Sequence, residues 1–131
     1  MMTNVPKWIP ALFWIAAAYD AVLGVVFLLH PGWAFEVFEV TPPNHMGYVQ
    51  FPAALLIIFA NMFAAIARSP LANRGLIIYG ILLKAAYCGV TSFYWITEGL
   101  PGMWKPFVLI DLAMAALFVL AYSLLRNSKY S

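Results

Sequence analysis

Charged residues are scarce in this chain of 131 residues, which has only seven Lys or Arg and five Asp or Glu. A soluble domain has about a quarter charged residues, whereas 65% of this chain is apolar. That apolar content excludes intrinsic disorder, because so much apolar surface cannot remain solvated. A net charge of only +2 provides no surface for binding phosphates, so we expect no nucleic-acid partner.

Cysteine is almost absent as well. Cys88 is the single cysteine, which excludes a disulfide within the chain. Its neighbours are apolar, so we interpret it as a structural thiol rather than a nucleophile. The sequence also lacks a nucleotide-binding motif, an internal repeat and a polar segment long enough to form a soluble domain. A small polytopic membrane protein is the class that fits these absences.

Four long apolar segments are what the chain does contain, at about 8–29, 51–67, 75–96 and 107–125. Each is close to the ~20 residues that a helix needs to cross a bilayer core of ~30 Å. Pro10, Pro52 and Pro106 fall in first turns, where a missing N–H costs nothing, and we expect the short second segment to run on toward Arg68. The pattern predicts an all-α fold, an integral membrane antiparallel four-helix bundle that forms one membrane domain over residues 1–131. Because the first segment is too long for a signal peptide, we expect it to be retained.

Lysine and arginine are unevenly distributed over the ends of these segments. Five of them fall on one side of the predicted membrane, namely Lys7, Arg68, Arg74, Arg126 and Lys129. Only Lys105 falls on the other side. Because positively charged loops stay in the cytoplasm, we expect both termini to be cytoplasmic in a bacterial-type inner membrane.

The longest connection, residues 30–50, is predicted to contain a short helix over about 32–41. At helical spacing its apolar side chains fall together, namely Trp33, Ala34, Val37 and Phe38. Glu36 and Glu39 fall on another side, which is typical of a helix in the membrane interface, and the segment Thr41-Pro42-Pro43-Asn44 ends it. Two interpretations stay open for this loop and for the loop that carries Trp104. Their aromatic residues lie at the level of the lipid headgroups, or the two loops together form a lid over a cavity.

Three charged residues lie within the apolar segments, namely Asp20, Lys84 and Asp111. An unpaired charge there costs about 2.5 kcal/mol or more. At ~1.5 Å per residue, their depths from the cytoplasmic ends are about 18, 14 and 21 Å, a spread that a flexible lysine stem can close. We therefore predict a buried ionic cluster of these three side chains, with either an architectural or a functional role.

Helical phase predicts that each span turns one small or polar face toward a common axis. These faces are Ala16, Asp20 and Gly24; Ala54, Asn61 and Ala65; Gly80, Lys84, Tyr87, Cys88, Thr91 and Trp95; and Asp111, Met114, Ala115, Phe118 and Tyr122. A ligand pocket beside the cluster is predicted to be lined by Asn61, Tyr87, Thr91, Tyr94, Trp95, Trp33 and Trp104, together with Tyr48. Apolar walls with a few convergent polar groups are typical of such sites.

Four further residues have side chains that suit a transition metal, namely His30, Glu36, Glu39 and His45. No pair of them has the spacing of a metal-binding motif, so we expect no metal site. No other motif indicates a cofactor.

The sequence favours a non-catalytic membrane protein, either a subunit of a larger membrane assembly or a homo-oligomer. The first alternative is an intramembrane binding site for a lipophilic small molecule such as a quinone, a lipid or a pigment. A transporter or channel component ranks below both, because one copy of four spans rarely encloses a water-filled path. Catalysis has the least support, since no nucleophile or cofactor motif stands beside Asp20 or Asp111.

Overall fold

A computed structural model describes residues 5–126, and Lys129 lies outside this part of the chain. In chain order the helices are α1 (Trp8–Leu29), α2 (Pro31–Val37), α3 (Gly47–Arg68), α4 (Ile77–Thr97) and α5 (Lys105–Arg126), with a 3₁₀ turn at Arg74–Leu76 before α4. Within residues 5–126, four of these helices are long and apolar enough to cross a membrane, namely α1, α3, α4 with its 3₁₀ turn, and α5. The predicted all-α fold is confirmed, and the four apolar helices indicate a membrane protein.

The start of α3 differs from the sequence prediction. The helix begins at Gly47, so Pro52 lies inside it rather than in its first turn. The His45 ring supports the earlier start, because Nδ1 accepts a hydrogen bond of 2.9 Å from the backbone N–H of Gly47. A proline inside a helix removes one backbone hydrogen bond, which membrane helices tolerate. The other end of α3 reaches Arg68, as expected.

The four long helices form two closely packed antiparallel hairpins, α1 with α3 and α4 with α5. In the first hairpin, the ring centroid of Phe13 lies 6.1 Å from that of Phe63 at one end, and Gly24 meets Ala53 and Ile57 near the other. A Cβ atom on Gly24 would lie 2.7 Å from Cγ1 of Ile57 and 2.9 Å from the carbonyl oxygen of Ala53. Glycine at this position therefore allows the two backbones to approach closely, as small residues do in membrane helix pairs.

One half of the bundle is filled by aromatic rings, and we call it the packed half. The ring centroid of Phe118 lies 4.8 Å from that of Phe13 and 5.3 Å from that of Phe63, so three helices interlock at one level. Gly80 on α4 makes room for these rings, because a Cβ atom there would lie 2.7 Å from Phe63. Around them the buried residues of the packed half include Ile9, Leu12, Ala16, Ile66, Ile77, Ala121 and Leu125.

The opposite half, which we call the cavity half, has a smaller core beneath α2. Its buried residues are Phe27, Ala34, Phe35, Ala53 and Met103. Of the four apolar side chains that the sequence pattern grouped on one face of the short helix, Ala34 is the one buried against the bundle. Trp33, Val37 and Phe38 are exposed on the protein surface, and Phe35 is the buried aromatic residue. The pattern grouped side chains by polarity and had no information on which of them the bundle covers.

The end of α2 also lies earlier than predicted, after Val37 rather than at Thr41. Glu39 has a left-handed backbone with φ of 54°. The N–H of Val40 donates to the carbonyl oxygen of Phe35 at 2.9 Å, and the N–H of Glu39 donates to that of Glu36 at 3.2 Å. These two bonds form a Schellman motif, which ends a helix without help from the prolines that follow.

The inward faces are confirmed for α1 and α5, and for α4 except at its end, where the predicted Trp95 is 37% exposed. Ala16, Asp20 and Gly24 are buried on α1, Gly80, Lys84 and Cys88 on α4, and Asp111, Met114 and Phe118 on α5. The predicted face of α3 is wrong, since its buried residues are Ala53, Ala60, Phe63, Ile66 and Ala67. Asn61 lies on the exposed side of the helix, where its side-chain amide donates 3.0 Å to the carbonyl oxygen of Ile57. A polar side chain that satisfies itself on its own backbone does not need a place in the core.

Candidate functional site

The predicted cluster of charged side chains is present where the two hairpins meet. The Lys84 ammonium on α4 donates hydrogen bonds of 3.1 Å to Oδ1 of Asp20 on α1 and 3.1 Å to Oδ1 of Asp111 on α5. All three residues are buried, with exposed fractions of 0% for Asp20, 1% for Lys84 and 7% for Asp111. The ammonium therefore joins three helices, and it links α1 of the first hairpin to both helices of the second.

Two aromatic rings complete the surroundings of the ammonium. Nζ of Lys84 lies 5.2 Å from the ring centroid of Tyr19 and 5.8 Å from that of Phe63. The negative faces of aromatic rings attract a cation, most strongly where water is excluded. Lys84 is thus held by two carboxylates and two rings, and Phe63 connects it to the packed half.

Two polar atoms beside the cluster have no hydrogen-bond partner among the described residues. They are Oδ2 of Asp20 and the hydroxyl oxygen of Tyr19, and both are buried. A buried polar atom left without a partner costs about 1–3 kcal/mol, and more if it is charged. A hydrogen-bond partner for each of these two oxygen atoms would therefore stabilise the site.

Both oxygen atoms belong to residues that line a cavity of about 400 Å³ in the cavity half. Asp20, Lys84 and Asp111 are its charged lining residues. The walls are otherwise mainly apolar and aromatic, and they come from all four long helices, with residues such as Leu23, Phe27, Leu56, Phe59, Leu83 and Phe107. The volume falls within the ~300–1,000 Å³ of small-molecule pockets, which have this combination of apolar walls and few polar groups.

Aromatic side chains close the end of the cavity that lies away from the packed half. Trp104, in the connection before α5, has its ring centroid 5.7 Å from that of Phe27 and 6.2 Å from that of Phe35 on α2. The Tyr87 hydroxyl donates 3.2 Å to the carbonyl oxygen of Trp104. The connection that holds α2 and the connection that holds Trp104 therefore meet at this end, which is the geometry that the lid interpretation requires.

The structure brings together some of the predicted pocket residues and separates others. Tyr48, Tyr87 and Trp104 line the cavity. The residues that lie outside its lining are Trp33, Asn61, Thr91, Tyr94 and Trp95. The Thr91 hydroxyl donates back to the carbonyl oxygen of Tyr87, and the Trp95 ring lies at the exposed end of α4, 5.3 Å from Nζ of Lys105. Trp33 is 58% exposed on the outer side of α2.

The sequence interpretation missed several residues that line the cavity. Tyr19, Leu23 and Phe27 form one wall on α1, and Phe107 faces them from α5 at 6.3 Å from the Tyr19 ring. The signal that identifies the first three is their spacing of four, which places them on one helix face beside Asp20. Apolar and aromatic side chains are common throughout a span, so their residue type does not indicate a site. Only their position on the same helix face as the charged residue distinguishes them.

The residues considered as metal ligands have other surroundings. Across residues 5–126 there is no group of three or more His, Cys, Asp or Glu side chains placed to hold a metal ion. Glu36 and Glu39 are exposed, and the His45 ring accepts the hydrogen bond at the start of α3. Cys88 is buried, with its thiol 3.7 Å from the carbonyl oxygen of Val108, which fits the interpretation as a structural thiol.

In comparisons with known proteins, no family model, no curated protein and no solved structure matches this chain. The geometry of the cluster and the cavity is therefore the basis for a functional proposal. Chemically, the arrangement offers an apolar space with a charged, hydrogen-bonding floor inside the membrane-spanning part of the protein.

Proposed function

We propose that this small non-catalytic membrane protein binds a lipophilic small molecule in the cavity between its two helix hairpins. One observation carries the proposal: a cavity of about 400 Å³ with mainly apolar walls is lined by Asp20 and Tyr19, each of which has a buried oxygen atom with no hydrogen-bond partner among the described residues. A molecule with an apolar body and a polar head fits these walls and supplies the missing hydrogen-bond partners.

The lipophilic character of the molecule follows from the route into the cavity. Tyr48 is 72% exposed and Leu55 is 37% exposed, and both line the cavity from α3. In a bilayer, the exposed surface of a spanning helix faces lipid. We infer that molecules dissolved in the bilayer enter past α3, without crossing the aqueous phase.

The distribution of positive charge supports an orientation for the cavity. In the part of the chain that the structure describes, Lys7, Arg68, Arg74 and Arg126 lie at the ends of helices in the packed half, and Lys105 begins α5 at the other end. By the positive-inside rule, we propose that the packed half faces the cytoplasm of a bacterial-type inner membrane. The cavity half then lies in the outer leaflet.

The direct test is to identify molecules that copurify with the protein. The full chain is extracted into lipid nanodiscs without detergent, and its organic extract is compared by mass spectrometry with that of the bulk membrane. Leu83 lines the cavity whereas its neighbour Leu82 is exposed, so Leu83→Trp fills the cavity and Leu82→Trp is a matched control. We expect a compound enriched at least about tenfold, equivalent to 1.4 kcal/mol, in the wild type and in Leu82→Trp, and lost in Leu83→Trp. Equal extracts from the three proteins would contradict the proposal.

A second candidate function, a component of a larger assembly or a homo-oligomer, is favoured by the exposed side of α4. Ala85 and Gly89 are exposed there at a spacing of four, and a Cβ atom on Gly89 would have no atom within 4 Å. Small residues at this spacing are typical of contacts between membrane helices. Blue-native electrophoresis after mild extraction tests the candidate: we expect a species larger than one copy that Gly89→Leu dissociates, and a monomer in both proteins would argue against it.

A further inference from the structure

We propose that the molecule in the cavity is a lipophilic amine, which places a positively charged ammonium head against Asp20 and Tyr19. This inference deepens the proposed function and rests on it. Its starting point is the combination of a net negative cluster, two unpartnered oxygen atoms and aromatic walls around one space.

The charge of the cluster is the first argument. Asp20 and Asp111 both form their ion pair with the same residue, Lys84, so two carboxylates share one ammonium. The cluster then has a surplus of one negative charge in a membrane-spanning part of the protein, where uncompensated charge is costly. An occupant with one positive charge makes the group of four neutral.

The hydrogen-bonding capacity of the floor is the second argument. An ionised Asp20 carboxylate can only accept hydrogen bonds at Oδ2, and the Tyr19 hydroxyl oxygen can accept one as well. An ammonium head has three N–H donors and no acceptor, so it has enough donors for both oxygen atoms. A head with only carbonyl oxygens donates nothing, and it would leave Oδ2 of Asp20 unpartnered and next to another partial negative charge.

The aromatic walls are the third argument. Rings from four helices and one connection line the cavity, among them Tyr19, Phe27, Phe59, Tyr87, Trp104 and Phe107. Aromatic rings attract cations by their faces and also pack against an apolar body. The protein already uses this interaction beside the cavity, because the Lys84 ammonium lies 5.2 Å from the centroid of the Tyr19 ring.

A matched pair of probes separates the charge from the shape of the ligand. 4-Phenylbutylamine and 4-phenylbutanol share one apolar body and differ in the head, which is an ammonium in the first and a neutral hydroxyl in the second. Binding of each is measured by equilibrium dialysis against the full chain in phosphatidylcholine nanodiscs, with empty nanodiscs as the blank. We expect the amine to bind at least about tenfold more tightly than the alcohol, a difference of 1.4 kcal/mol.

Variants then show whether the preference comes from the cluster. Asp20→Asn removes the surplus charge and Oδ2, so we expect the preference for the amine to disappear. Glu36→Gln removes a negative charge on the exposed side of α2 and is the control, with the preference retained. Tyr19→Phe keeps the ring and removes only the hydroxyl, so it tests the same floor if Asp20→Asn does not fold, and we expect weaker binding of the amine.

The possible results distinguish this inference from the proposed function. Equal binding of both probes, blocked by Leu83→Trp, would overturn the ammonium head and leave the cavity as a site for neutral lipophilic molecules. A preference for the amine that Asp20→Asn and Tyr19→Phe both leave unchanged would also overturn it. No binding of either probe, together with no copurified compound, would overturn the proposed function itself.

Discussion

The packed half and the cavity half of this bundle are built from the same four helices and have similar residue types, yet aromatic rings fill the space between the helices in the first and line a cavity in the second. In the packed half, Phe13, Phe63 and Phe118 come from three helices and meet at one level, with centroids 4.8–6.1 Å apart. In the cavity half, aromatic rings line the walls of a space of about 400 Å³ without filling it. The number of aromatic residues therefore does not decide whether a region is filled. Rings fill it where they meet at one level of the bundle.

The charged cluster lies at the boundary between the two halves. Lys84 lies 5.8 Å from the centroid of Phe63, which belongs to the packed half, and it also lines the cavity. The close approach of α1 to α3 at Gly24 shows that the cavity half is not loosely assembled. The cavity therefore has a defined position, between two closely packed hairpins and beside the cluster of Asp20, Lys84 and Asp111.

The largest effect on both halves is expected from Lys84→Met. The substitution leaves two buried carboxylates without their counterion, and breaking a buried ion pair in this way costs about 3–5 kcal/mol. We expect a loss of that size in the free energy of unfolding, measured by denaturation with sodium dodecyl sulfate in mixed micelles. Lys7→Met is the control, because Lys7 is exposed and forms no salt bridge with any residue in 5–126. If both variants unfold alike, the cluster does not join the two halves.

An intermediate effect should distinguish the two halves directly. Phe118 is fully buried among rings, whereas Phe107 borders the cavity. Phe118→Ala opens a new void in the packed half and should cost about 3 kcal/mol, while Phe107→Ala widens an existing space and should cost about 1 kcal/mol, because the penalty grows with the void that is created. The same denaturation assay measures both. Equal losses would mean that the cavity is filled by protein in solution.

The smallest effect concerns the hairpin contact in the cavity half. In Gly24→Ala the new Cβ lies 2.7 Å from Ile57 and 2.9 Å from the Ala53 carbonyl oxygen, so the helices must separate. Overpacking of this kind costs about 1–3 kcal/mol, and we expect the lower end of that range. Gly32→Ala is the control, because a Cβ on this glycine of α2 meets no atom within 4 Å and alanine favours the helix. A Gly24→Ala protein as stable as the control would show that the hairpin contact is loose.

The sequence predicted the cluster because two independent rules agreed on it. Residue counts placed Asp20, Lys84 and Asp111 at similar depths, and helical phase placed each on the small or polar face of its span. An ion pair in a membrane has few alternatives, since each charge needs a partner at its own level. The four helices were predictable from hydrophobicity and length, because a segment that crosses the bilayer needs about 20 mostly apolar residues.

The cavity could not be predicted in the same way. Charged residues must meet a partner at their own depth, but no comparable requirement fixes how a helix is rotated about its axis when its side chains are apolar. Asn61 was assigned to the inward face by its polarity, but it donates to its own backbone and lies outside. Trp33 and Trp104 were equivalent as loop tryptophans, yet one is exposed and the other lines the cavity. Apolar side chains are equally soluble in lipid and in a protein core, so their type does not show which way they face.

The separation of 64 residues between Asp20 and Lys84 has a consequence for biosynthesis. The ribosome delivers α1 and α3 to the membrane before it has made the lysine that neutralises Asp20. During that interval the first hairpin holds an acid without its counterion, and an unpaired charge in a span costs about 2.5 kcal/mol or more. A chain truncated before α4 keeps this acid without its lysine, so we expect its first hairpin to be less stable in the membrane than the same hairpin in the full chain.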